Sequence, residues 1–241
     1  KSDGSVCPAP PVDGMGCVRC LAEESRRYRL FTTFVPRVSD SLWRHVAPRL
    51  AAGDRARSID HRRTTLHDAL LSSEVLICPS EFLRRKYVEQ GVPPHKCVVL
   101  RQGHALAGAS RPPRSSAVPF TIGYVGQVKW HKGVDVLLEA ARLLRDRGLN
   151  FKVAVYGDSA ESPEFVSKLK AQYQDSWLEW RGTFGADETA HVMTGLDVLA
   201  VPSRWYENSP NVILEAQAFK LPIVATRLGG MAGLVREEIE G

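Results

Sequence analysis

No run of about eighteen apolar residues occurs in this 241-residue sequence, so none of it can be a helical membrane span. Basic residues interleaved with aromatics in the manner of a DNA- or RNA-binding motif are also missing, and nucleic acid is not an expected partner. No G-x-G-x-x-G follows a strand, which disfavours an oxidoreductase using a nicotinamide dinucleotide. A secretory leader is lacking as well, and the expected location is the cytoplasm, with peripheral contact to a membrane as an option. The first residues, Lys1-Ser2-Asp3-Gly4, read as mid-loop, and Glu240-Gly241 closes no helix or strand, so a fragment is expected.

Cysteine is scarce, with five residues. Cys78 and Cys97 sit in apolar, strand-like runs and are expected to be buried, inert thiols. Cys7, Cys17 and Cys20 form a C-x9-C-x2-C group in a stretch rich in Pro and Gly. That spacing is half of a structural zinc or iron–sulfur site. Reduced surface thiols or one disulfide fit it equally.

What is present is a hydrophobic content of 44% with 24% charged residues, enough apolar material for a real core. Charge is uneven: residues 1–120 carry 19 Lys/Arg against 11 Asp/Glu, and residues 121–241 carry 13 against 16. A basic first half could attract an anionic acceptor or an acidic membrane face, although a scattered arginine-rich surface explains it too.

Residues 21–70 read as arginine-rich helix. Leu42, Trp43, Val46 and Leu50 have helical spacing, interrupted by Pro48. A strand over 74–78, a helix opened by Pro79-Ser80 and stopped by Gly91, and a strand over 97–100 complete a first α/β region. Residues 102–118, loaded with Gly, Ala, Ser, Pro and Arg, form the linker between a partial first domain (1–101) and a second domain (119–241). From Pro119 onward strand, turn and helix alternate: strands over 120–125, 151–156, 177–180, 196–201 and 221–225, with Asp187 expected to cap a helix. Five βα steps in order predict an α/β fold with a doubly wound parallel sheet, whose ligands sit at the carboxyl ends of the strands.

One such end carries Trp205-Tyr206-Glu207-Asn208-Ser209-Pro210-Asn211-Val212-Ile213-Leu214-Glu215. Ser209 suits an N-cap and Pro210 a first helical position. Glu207 then precedes the helix, while Glu215 lies inside it on the face of Asn211. Helical side chains lean toward the N-terminus, so both carboxylates can face one volume, together with free amides and the positive end of the helix dipole. Carboxylates that accept from hydroxyls, beside a helix end that welcomes phosphate, suit a nucleotide-sugar.

The motifs resemble those of the retaining glycosyltransferases of family four, of GT-B fold with two Rossmann-like domains. Gly123-Tyr124-Val125-Gly126 with His131-Lys132-Gly133-Val134-Asp135 looks like that family's first strand and phosphate loop. Pro202-Ser203 through Glu215 looks like its two-glutamate motif. Leu221 to Thr226 with Gly229-Gly230-Met231 looks like the strand and glycine turn that follow. Cys78 to Leu83 resembles the end of the N-terminal domain. The resemblance covers about residues 70–241 and implies a C-terminal nucleotide-sugar-binding domain beside an incomplete acceptor-side domain.

It also implies roles. Lys132 would contact the donor diphosphate and stabilise the leaving group. Gly126 and Gly133 would let backbone approach the phosphates, with Gln127 beside them. Glu207 and the segment Asn208, Ser209 and Asn211 would hold the sugar, and Glu215 the ribose hydroxyls. Gly229-Gly230 would supply an amide-rich turn. Glu207 and Lys132 are the expected catalytic pair. The implied reaction moves a sugar from a nucleoside-diphosphate-sugar to a hydroxyl of a glycan, lipid-linked or small-molecule acceptor. Attack on the face of the departing phosphate, which serves as base, retains the configuration. No Asp-x-Asp pair is present, so no metal cofactor is required. Gln127 replaces a frequent arginine, leaving Lys129 or His131 to supply that charge, and Gly233 replaces a common polar residue. A non-catalytic nucleotide-sugar-binding module and a GT-B-like sugar-nucleotide epimerase are the alternatives.

Overall fold

The computed structural model describes residues 52–103, 110, 112, 117–236 and 239. Cys7, Cys17 and Cys20, the helical pattern around Leu42 to Leu50 and much of the linker lie outside the described residues. The chain forms two compact units, residues 1–76 and 77–241. In the first, helix α1 (Ala52–Ser72) follows the expected helix, and no residue from 58 onward in it is buried. Among the described residues no helix is long and apolar enough to cross a membrane.

The second unit opens with β1 (Leu76–Cys78), helix α2 (Glu81–Glu89) and β2 (Cys97–Val99), with β1 and β2 forming a two-stranded sheet. Ser80 caps α2, its hydroxyl accepting from the Leu83 amide at 3.2 Å. Cys78 and Cys97 are buried, as expected, and form no disulfide.

The main sheet contains β3 (Thr121–Val125), β4 (Lys152–Tyr156), β5 (Leu178–Gly182), β6 (Val198–Val201) and β7 (Ile223–Ala225). All pairings are parallel and the order is β5-β4-β3-β6-β7. Four helices connect them: α3 (Val134–Asp146), α4 (Pro163–Gln172), α5 (Thr189–Thr194) and α6 (Asn211–Ala218).

Strand periodicity explains why both faces are covered. Val153 and Val155 of β4 point into a core with Leu137, Leu138 and Ala141 of α3 and Leu169 of α4. Ala154 points the other way, joining Leu199 of β6, Met193 of α5 and Ile213 and Ala216 of α6. A strand buried on both sides reads as a near-continuous apolar run, and Phe151 to Tyr156 does, with Lys152 at its start as the exception. This is the predicted doubly wound α/β sheet. Its order reverses between β3 and β6, where chain leaving the two strand ends parts to opposite faces and opens a crevice.

Two helix starts differ from expectation. α6 begins at Asn211, with Pro210 as its N-cap and no side-chain cap. Ser209 is therefore not the cap, and its Oγ is buried without a hydrogen-bond partner among the described residues. A proline at Ncap, extended at ψ 121°, moves the start one residue on. Asp187 lies inside a short 3-10 turn, Ala186–Glu188, which Glu188 closes by accepting from the Gly185 amide at 2.9 Å, and α5 itself starts at Thr189 with no side-chain cap.

Candidate donor site

At the β3/β6 crevice lies a cavity of about 550 Å³ lined by Gly126, Gln127, Lys132, Glu207, Asn211 and Glu215, among others. The two acids thus share one cavity with the lysine. Lys132 is the cation lining it among the described residues. Its Nζ stands 2.6 Å from Glu207 Oε1, both side chains being partly buried. Ser203, fully buried, holds the same carboxylate oxygen at 3.1 Å and takes the Trp205 amide on its Oγ at 3.2 Å.

Two loops meet here because backbone ties them together. The Arg204 amide donates to the His131 carbonyl at 2.8 Å, and the Arg204 guanidinium bonds Asp135 at 2.7 Å while lying over the Trp130 ring. Gly133, at φ 76°, packs so closely on the other loop that a Cβ would lie 2.0 Å from the Pro202 carbonyl oxygen. From below, the Gly230 amide donates to the Glu207 carbonyl, and a Cβ on Gly230 would lie 1.7 Å from the Asn208 oxygen. These glycines are needed because the loop carrying Glu207 passes where side chains would be.

The electrostatics follow from the ion pair. Burial lowers the His131 imidazole below its ordinary 6.5, and Lys132 next to it adds to that, against a smaller opposing pull from Glu207. Burial pushes the Tyr124 phenol up, and the Glu207 charge adds to the shift. Tyr124 lines the cavity and donates to the Gln127 carbonyl at 2.7 Å.

The profile of the family described as "Glycosyl transferases group 1" matches residues 119–241, just over half of the chain. The chain belongs to that family. Among curated relatives, the putative colanic acid biosynthesis glycosyltransferase WcaL of Escherichia coli K12 is 25% identical over 193 residues, covering 77% of this chain and 48% of WcaL. A D-inositol 3-phosphate glycosyltransferase of Arthrobacter is 35% identical over 130 residues, 50% of this chain and 31% of that protein. The chain thus spans half or less of the length of these curated relatives. Among solved structures, HepE of Anabaena in complex with UDP and glucose superposes with a TM-score of 0.62 at 19% identity, covering 73% of this chain and 50% of HepE. The fold class is that of the GT-B glycosyltransferases.

Within this group 1 domain, the cavity gathers six of the residues singled out from sequence: Gly126, Gln127, Lys132, Glu207, Asn211 and Glu215. Others sit behind it. Gly133, Gly229 and Gly230 face protein backbone. Asn208 turns its side chain away, its Oδ1 accepting from Ser80 Oγ at 2.6 Å, while Tyr206 stacks on Phe82 at 5.0 Å. The arginine position held by Gln127 is not replaced from nearby. Lys129 pairs with Glu161 at 3.1 Å, His131 packs on Trp205, and neither lines the cavity. Ser203 and Tyr124 were not singled out as site residues. Ser203 directly follows the β6-Pro202 segment, which is the signal that points to it.

Proposed function

We propose that the chain is the donor-binding half of a retaining glycosyltransferase that moves a hexosyl unit from a nucleoside-diphosphate-sugar to an acceptor hydroxyl in glycan or glycoconjugate synthesis. On this reading residues 119–241 are the donor domain, 102–118 the linker and 1–101 part of the acceptor-side domain, although residues 77–101 fall in the same compact unit as 119–241. The observation that carries the reading is the meeting of Lys132, Glu207 and Glu215 in one crevice at the sheet's switch point.

Lys132 exchanges Glu207 for the diphosphate when donor enters, and its charge then stabilises the oxygen that departs from the sugar's C1. The first amides of α6 have no intrahelical acceptor and add to that stabilisation. Glu207 is released to accept from sugar hydroxyls, and Glu215 accepts from the ribose. The C1–O bond to the diphosphate breaks, the acceptor oxygen bonds C1 on the same face, and its proton passes to the departing phosphate. The positive charge comes from Lys132, so a divalent ion is not required. Support for the donor class comes from HepE, solved with UDP-glucose, and for glycan synthesis from WcaL. The work belongs in the cytoplasm, against a glycan, lipid-linked or small-molecule acceptor.

Calorimetric titration of the chain with UDP, GDP, UDP-glucose and GDP-mannose tests this. Saturable binding of one nucleotide-sugar, weakened by Lys132→Met, is expected. Absence of binding across the panel would remove the reading.

A further inference from the structure

A second cavity, of about 390 Å³, lies beside the glycine turn and is separate from the one containing Lys132. Three arginines line it: Arg85 on α2, Arg101 just after β2, and Arg227 just after β7. Against them stands a single lining carboxylate, Glu81, which leans toward Arg84 at 3.6 Å. Like charges gathered around one concavity repel each other, and an anion relieves that repulsion even though Arg227 has an interaction partner of its own.

The side chains are held differently. Arg101 is anchored, its Nη2 donating to the Gly233 carbonyl at 3.2 Å, which leaves its remaining N–H groups for a ligand. Arg85 has no hydrogen-bond or ion-pair partner among the described residues. The other wall is the Gly229–Gly233 turn, of which Gly229, Gly230, Ala232 and Gly233 line the cavity. Forked donors that converge from three separate elements can each reach a different oxygen, which a phosphate offers and a two-oxygen carboxylate does not.

We propose that this arginine cavity binds a phosphate group, carried either by a soluble phosphoester or by a lipid headgroup. The site is independent of the donor reading, although the two adjoin. The wall residues Gly229 and Gly230 are the ones pressed against Glu207 and Asn208.

The test is calorimetric titration of the 241-residue chain with inorganic phosphate, at fixed ionic strength of about 150 mM to screen diffuse attraction. Arg85→Ala is the principal variant, because Arg85 is exposed on a helix and supports no core. Saturable binding is expected, weakened about ten-fold by Arg85→Ala, as loss of a charge-assisted contact requires. Arg142→Ala, on a distant helix, should leave it unchanged. Phosphate binding lost in Lys132→Met but kept in Arg85→Ala would place the anion in the donor crevice and overturn the proposal. Failure of the chain to bind phosphate saturably would do the same. A UDP-sugar titration run in parallel reports on the donor reading separately, since Arg85→Ala should not alter it. Sedimentation with phosphatidylcholine vesicles, with and without phosphatidic acid, identifies the source. Arg85-dependent pelleting with phosphatidic acid points to a headgroup, and competition by glycerol 3-phosphate without pelleting points to a soluble phosphoester.

Discussion

At the scale of single residues, the Lys132–Glu207 pair sets the terms. A surface ion pair is worth little, but this one is partly buried and its carboxylate is also held by Ser203. In the complete enzyme, Lys132→Met should lower transfer by about 10²–10³-fold, the usual cost of losing one preorganised charge at a leaving group, as steady-state rates would show. Glu207→Gln should weaken nucleotide-sugar binding relative to the free nucleoside diphosphate. Equal losses for both ligands would contradict the sugar-clamp role. His131 gives a pH signature. Its pKa is depressed in the fold, so between that value and 6.5 the unfolded chain binds more protons. The stability it contributes is complete above 6.5 and is lost as pH falls through the folded value. Its NMR titration midpoint should lie below 6.5 and rise toward it in Lys132→Met, because that substitution removes one lowering influence.

Elements explain how the pair is assembled. Gly230 touches the Asn208 carbonyl, so Gly230→Ala must push the two-glutamate loop aside. A loss of about 2 kcal/mol or more is expected, with a fall in melting temperature on the order of 4–8 °C measured by calorimetry. Gly233→Ala, where a Cβ meets nothing within 4 Å, should be nearly neutral and serves as the control. The same elements show what could be read in the sequence. The βα rhythm, the sheet's double winding and the convergence of the two glutamates were legible, because apolar periodicity and helix-start geometry report local chain structure directly. Lys132, 75 residues from Glu207, was placed beside them only by the family resemblance. The start of α6 was not, since Ser209 and Pro210 each suit the N-terminus and only packing decides between adjacent frames. The backward turn of Asn208 was hidden for a different reason: its partner, Ser80, is 128 residues away. Gly133 and Gly230 could be recognised as special, but whether they make room for ligand or for protein is a tertiary fact.

For the molecule as a whole, binding is linked to stability. A nucleotide-sugar that occupies the crevice at a hundred times its dissociation constant should stabilise the donor unit by about 2.7 kcal/mol. That shift should appear as a higher melting temperature and, on the proposed reading in which Lys132 supplies the positive charge, persist in EDTA. Loss of the shift on chelation, restored by magnesium, would show that the diphosphate needs a metal after all.

The clamp beneath the two-glutamate loop has a further consequence, for synthesis on the ribosome. Both acids and the lysine emerge before residue 216, but Gly229 and Gly230, which pin that loop by its backbone, follow only after β7. A nascent chain stalled when about residue 225 has just cleared the exit tunnel would expose each polar side chain of the crevice and still lack the footing that sets their spacing. Capture of nucleotide should therefore begin abruptly, within a few residues of growth, rather than build up as the acids appear.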